Sequence, residues 1–206
     1  MMRQIRYKLL SLFFLAQLLS SSLLAQSWEF VKEQDGIKVY TRQEAGKPLK
    51  TYRGTATIKA PAEKVFALIE DVNHTEWWEA SLSQIKVLAY EKNKMARYYL
   101  VFDSPWPVTD RDLCVNVTVT IDPIKKVYQV TAVPLTGVIP ENEELVRIKD
   151  YRQAWTVSSS GPNSSDVVVE GYADPVGNIP AWISNMLIIE TPVNAIRGAR
   201  RRLETL

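Results

Sequence analysis

Residues 111–121 read Arg-Asp-Leu-Cys-Val-Asn-Val-Thr-Val-Thr-Ile, and this alternation decides the fold class. Leu113, Val115, Val117, Val119 and Ile121 fall on one side of an extended chain; Asp112, Cys114, Asn116, Thr118 and Thr120 fall on the other. Successive side chains of a strand point to opposite faces, so the segment is a strand with one dry and one wetter face. Arg111 shares the parity of the dry face and stands at its mouth, whereas Asp112 has the opposite parity, that of a turn-facing or surface residue.

Working outward, β-branched and aromatic runs predict further strands near 37–42, 50–58, 84–90, 95–103, 127–133, 146–157 and 166–173. Short turn signals such as Asp35-Gly36, Asp122-Pro123 and Gly161-Pro162-Asn163 separate them, which favours an antiparallel meander. A first helix opens at Ala60-Pro61, carries Val65, Phe66, Leu68 and Ile69 on its apolar side, and ends near Asp71. A second opens at Pro180 with the stripe Trp182, Met186, Ile189, Val193, Ile196 and Leu203, mostly at steps of three or four. Pro192 lies inside it and is expected to kink or tighten it. Val167, Val169, Gly171 and Ala173 share a strand face that shrinks toward its end, leaving room beneath that long helix. The expected fold is α+β: a curved antiparallel sheet closed by a long C-terminal helix around an apolar cavity, a helix-grip arrangement.

The N-terminus reads separately. Arg3, Arg6 and Lys8 precede the apolar run Leu9–Leu19 and the small residues that end at Ala25, the order of a secretory signal peptide. Residues 1–25 are therefore expected to be a signal, residues 26–206 one domain, and the protein to be exported to a periplasm or secreted. The whole chain has 25 basic and 23 acidic residues; the first 25 positions hold three basic and no acidic ones, which leaves 22 against 23. With that balance nothing points to nucleic acid. Cys114 is the sole cysteine and His74 the sole histidine, so neither an internal disulfide nor a Cys/His zinc site is expected.

Four segments carry a resemblance. Trp28–Tyr40 (WEFVKEQDGIKVY) resembles the opening of a START (StAR-related lipid transfer) domain; Pro61–Asp71 with Trp77-Trp78 resembles that family's first long helix and the tryptophan turn after it. Pro105–Leu113 (PWPVTDRDL) is similar to its Arg-Asp segment, and Asp174–Trp182 (DPVGNIPAW) to the approach to its closing helix. The last two, together and at this spacing, are the more specific pair. The resemblance implies a helix-grip fold around a mostly apolar tunnel that takes one lipid-like molecule, with the closing helix and nearby loops as its gate. It implies no catalysis and no cofactor; transient contact with a membrane surface and a monomeric state complete the expectation.

Several side chains are candidates for the cavity. Tyr98, Leu100 and Phe102 share a face that forms a wall, Val115 and Val117 belong to the dry face, and Trp78, Trp155 and Gly171 stand on elements around it. Trp182, Met186 and Ile189 begin the closing helix. Gln153, between Tyr151 and Trp155, spoils a clean apolar pattern. Arg111 has two open roles, an internal ion pair with a carboxylate such as Asp103 or Asp150, or recognition of a ligand. The competing readings are a cyclase-like enzyme, whose only candidate imidazole is His74, and a scaffold with a vestigial pocket. The arginines 197, 200, 201 and 202 suit a helix C-terminus, where cations are favoured.

Overall fold

A computed structural model describes residues 27–206 apart from 76, 79, 80, 178 and 180, and apart from the side chains of 181, 182 and 185–187. The expected signal segment lies outside the described residues. In chain order the elements are β1 (Glu29–Gln34), β2 (Ile37–Arg42), β3 (Thr51–Ile58), α1 (Ala62–Glu70), β4 (Leu82–Glu91), β5 (Met95–Phe102), β6 (Arg111–Asp122), β7 (Val127–Pro134), β8 (Val146–Arg147), β9 (Asp150–Gly161), β10 (Ser164–Asp174) and α2 (Ala181–Glu204). The strands form one sheet in the order β1-β2-β3-β10-β9-β7-β6-β5-β4, with β8 off this path beside β6. The pairings are antiparallel except β6–β8, and α2 packs on β2, β3 and β10, so the fold is the helix-grip α+β arrangement.

The topology departs from a plain meander at two places. The connection through α1 carries the chain from β3 to the far edge at β4, so β3 pairs with β10 instead of with the next strand. The single strand expected over 146–157 is broken in two. Val146 and Ile148 donate to the carbonyls of Asp110 and Asp112 at 2.9 Å, so β8 runs parallel to β6 before the chain turns into β9. An additional edge strand, β1, joins β2 through a tight turn in which Asp35 and Gly36 both have positive φ, 55° and 66°. Its sequence, EFVKEQ, is mostly exposed, which hides it from a search for apolar alternation.

α1 starts after Pro61, whose φ of −57° suits an opening turn, and it buries Val65, Phe66, Leu68 and Ile69. α2 runs unbroken through Pro192. The proline is seated on β3 opposite Gly54, where a β-carbon would lie 2.6 Å from Pro192 Cβ. Glycine there lets helix and sheet approach, and Val193 and Ile196 fill the contact with no exposure. The far end of α2 is tied down: Arg197 donates to Asp35 Oδ2 at 2.7 Å, and Arg200 to the carbonyls of Asp35 and Thr57 at 2.6 and 2.9 Å. One buried cluster joins β2, β3, β9 and β10 to both helices, and a second lines β5 and β6. Between them the sheet and α2 do not meet.

Candidate functional site

The gap between the two clusters is a cavity of about 230 Å³. Its shape follows from register. Across the inner face runs the row Tyr52–Gly171–Gln153–Ala132–Val117, one residue each from β3, β10, β9, β7 and β6. Ala132 keeps this row low at β7, whereas the Tyr52 ring covers the row at Gly171; neighbouring rows raise Trp155 and Val130 on one side and Tyr151 and Val115 on the other. α2 supplies the cover with Ser184, Ile188, Thr191 and Ala195, at steps of four, three and four.

One end of the cavity is walled by a chain of edge-on aromatic rings. Tyr98 meets Trp78 at 5.2 Å, Trp78 meets Trp77 at 6.4 Å, and Trp77 meets Trp155 at 6.1 Å, joining β5 to β9 through the loop after α1. Gly198 of α2 lies so close to this loop that a β-carbon would stand 2.4 Å from the Trp77 carbonyl oxygen. Burial pushes the Tyr98 phenol well above its ordinary range, so it is a neutral hydroxyl.

Of the residues expected at a cavity, Trp78, Tyr98, Leu100, Phe102, Val115, Val117 and Trp155 line this one. Trp182 and Met186 have side chains outside the described residues. Ile189 does not line it, because seating Pro192, Val193 and Ile196 on the sheet core turns Ile188 and Thr191 toward the cavity instead. Gly171 does not leave open space: the Tyr52 ring fills it, with the tyrosine hydroxyl 2.1 Å from where a β-carbon would be. Tyr52, Gln153 and the α2 residues Ser184, Ile188, Thr191 and Ala195 also line it, and none of them is among the cavity residues expected from the sequence. The shared parity of Tyr151, Gln153 and Trp155 was the available signal, and the polar member reads as a fault until the cavity it faces is seen.

Arg111 is buried but is not part of the lining. No carboxylate pairs with it among the described residues, so neither expected ion pair forms; Asp150 is instead bound by Lys47. Its guanidinium donates to the Thr109 carbonyl and to Ser104 Oγ (3.3 Å), and across the gap to the carbonyls of Pro175 (3.4 Å) and Val176 (3.3 Å). Burial lowers its pKa, and the nearby charge of Asp110 partly opposes this. Arg111 thus ties the β5–β6 loop to the segment that leads into α2. Asp112, expected at a turn or the surface, is instead fully buried. On the outer side of the sheet, Arg147 grips it with two bonds of 2.7 Å, and Tyr99 donates to it at 3.1 Å. Parity put Asp112 on the face away from the cavity, but the 135–145 loop folds over that face and buries it, since Arg147 also holds the carbonyls of Ile139 and Pro140.

His74 stands outside the lining. Its Nδ1 lies 2.7 Å from Asp71 Oδ2, and its side chain is half exposed. The Asn73 amide and then His74 hold the Asp71 carboxyl below the usual carboxylate range. These contacts shape the turn after α1. Cys114 is buried, and its thiol is pushed up by that burial. Among the described residues no cluster of three or more metal-ligating side chains forms.

A sequence model of the family described as "Polyketide cyclase / dehydrase and lipid transport" matches residues 50–206. An uncharacterized protein of Pseudomonas aeruginosa is 31% identical over 185 residues, covering 90% of this chain and 91% of that one. The rat phosphatidylcholine transfer protein is 22% identical over 175 residues, 82% of this chain and 80% of its own. A crystal structure of a fragment of a STAR-related lipid transfer protein from Xanthomonas axonopodis superimposes with a TM-score of 0.76 at 29% identity, covering 86% of this chain and 98% of that one. The chain belongs to the polyketide cyclase/dehydrase and lipid transport family and, within it, has a START domain.

Proposed function

We propose that the protein binds one lipid or similarly apolar molecule in the cavity beneath α2 and carries it without changing it chemically. The observation that carries this is the roughly 230 Å³ of space lined by Val115, Val117, Val130, Leu100, Trp155 and Ile188. An apolar guest removes the apolar side chains that line this space from water, which favours its binding. Each CH₂ buried there contributes about 0.8 kcal/mol. A carrier, not an enzyme, is supported by the chemistry of the walls: among the described lining residues there is no histidine, cysteine or carboxylate, and the one imidazole is engaged with Asp71 on the surface.

Delivery requires a membrane. Trp106, in the β5–β6 loop that Arg111 ties to the segment leading into α2, is 93% exposed, the position of an interfacial anchor. Loading through the head of α2 while Trp106 rests in a headgroup layer is the reading this geometry supports. The basic and apolar run over residues 3–25 fits export as the route to that membrane.

The test is native mass spectrometry of protein purified without detergent, followed by solvent extraction. A one-to-one apolar adduct is expected, and Val117→Trp, which fills the floor, should abolish it while the protein still melts cooperatively. Protein that is always empty and takes up no fatty acid, sterol or phospholipid would refute the carrier reading. Sedimentation with phosphatidylcholine vesicles should weaken in Trp106→Ala.

A further inference from the structure

The polar residue that interrupts the cavity's apolar wall has a structural cause. Gly171 sits between Tyr52 and Gln153 in the cross-sheet row, and with no β-carbon there the Tyr52 ring lies flat across β10. Its hydroxyl thereby reaches the strand beyond and meets Gln153 Nε2 at 3.1 Å. Three residues from three strands place one carboxamide in the lining of a space otherwise walled by Val117, Ala132 and Trp155.

One contact does not use up an amide. A glutamine side chain offers two N–H donors and an oxygen with two lone pairs. If Nε2 donates to Tyr52, the oxygen stays available; if the amide is turned so that Tyr52 donates to the oxygen, the two N–H groups stay available. In the arrangement described, Gln153 Oε1 has no partner among the described residues, although it stands beside the cavity. An unmet polar group in an apolar space is costly, so it selects a guest that meets it. A hydroxyl group both donates and accepts, and so it satisfies Gln153 in either orientation.

The charges point the same way. Lys50 is the one cationic side chain among the described lining residues; it stands toward the rim and binds Glu29 Oε2 at 2.9 Å. Arg111 is committed to carbonyls elsewhere. A phosphate next to Gln153 would be buried without a counter-charge, which is heavily disfavoured.

We infer that Gln153, held by Tyr52 across Gly171, recognises the uncharged hydroxyl of an alcohol-ended apolar molecule, and that this pair sets the specificity of the cavity. The inference rests on the carrier reading.

The experiment is displacement of the neutral fluorophore 1-aminoanthracene from the full chain by dodecanol, dodecane and dodecyl phosphate. The wild type should favour dodecanol over dodecane by about tenfold, the scale of a buried hydrogen bond left unmet. Gln153→Leu should reduce that ratio to about twofold or less while dodecane binds as well or better. Tyr52→Phe, which keeps the ring over Gly171, should lower the ratio part of the way and serves if the leucine variant fails to fold. Equal binding of all three in wild type and variants would mean that water alone satisfies Gln153, and would overturn the assignment while leaving the carrier intact. A preference for dodecyl phosphate would overturn it too. Failure to take up the fluorophore or any of the three would remove both readings together.

Discussion

The Tyr52 ring lies across Gly171 so closely that a β-carbon on the glycine would stand 2.1 Å from the hydroxyl and 2.3 Å from Cζ. Tyr52 is 6% exposed and lines the cavity, so its ring cannot simply swing into water. Gly171→Ala is therefore expected to cost about 1–3 kcal/mol, the range for overpacking a closed site, read as a lower urea midpoint. Tyr52→Leu in the same chain should recover part of the loss, whereas Tyr52→Phe should not, because the clash includes the ring carbon.

At a second glycine the contact reverses the sign that helix propensity alone would give. Gly198 is inside α2, where Gly→Ala ordinarily stabilises a helix by about 1 kcal/mol. Here the new methyl would meet the Trp77 backbone carbonyl at 2.4 Å, and backbone does not step aside cheaply. Gly198→Ala should lower the melting temperature, and near-ultraviolet circular dichroism should change as Trp77 and Trp78 move. A higher melting temperature with an unchanged spectrum would show that the helix and loop do not hold this contact.

Asp112 and Arg147 form a two-bonded pair whose side chains are 1% and 10% exposed. Removing one partner of a buried pair leaves an uncompensated charge and costs about 3–5 kcal/mol. Asp112→Leu should show that loss in denaturant unfolding. The double change Asp112→Leu, Arg147→Met should cost markedly less, since an apolar pair leaves no stranded charge. Equal costs for the single and double variants would rule out the pairing as the source.

Acid should act partly through Glu44. The Arg42 hydrogen bond, and then the charge of Arg152, hold its carboxyl below the ordinary 4.5 in spite of burial. A depressed folded-state pKa stabilises the native state at pH values above the unfolded value, and the contribution disappears as pH falls through the folded value. The stability difference between wild type and Glu44→Gln should thus be fullest above about pH 5 and shrink toward zero in stronger acid. Its size should stay below about 1 kcal/mol, because the pair is partly solvated. A difference that stays constant from neutral pH into that range would exclude the linkage.

Much of this was legible along the chain. The alternation over 111–121 identified β6 and its dry side, and the same parity argument placed Tyr98, Leu100 and Phe102 on a common wall, because side-chain direction in a strand follows from position alone. α1 agrees in its buried residues and ends, since the 3.6-residue period and Pro61 are local. What parity leaves open is which residue stands beside which on the next strand, and what covers a face. Packing in three dimensions puts Asp112 under Arg147, Arg111 on backbone carbonyls, and Ile188 rather than Ile189 at the cavity. The row Tyr52–Gly171–Gln153 is of the same kind: its members are 101 positions apart at the hydrogen bond, and β10 enters between them only through long-range pairing. Patterns of two and 3.6 residues set which way a side chain points; register, helix seating and loop closure set what it meets there.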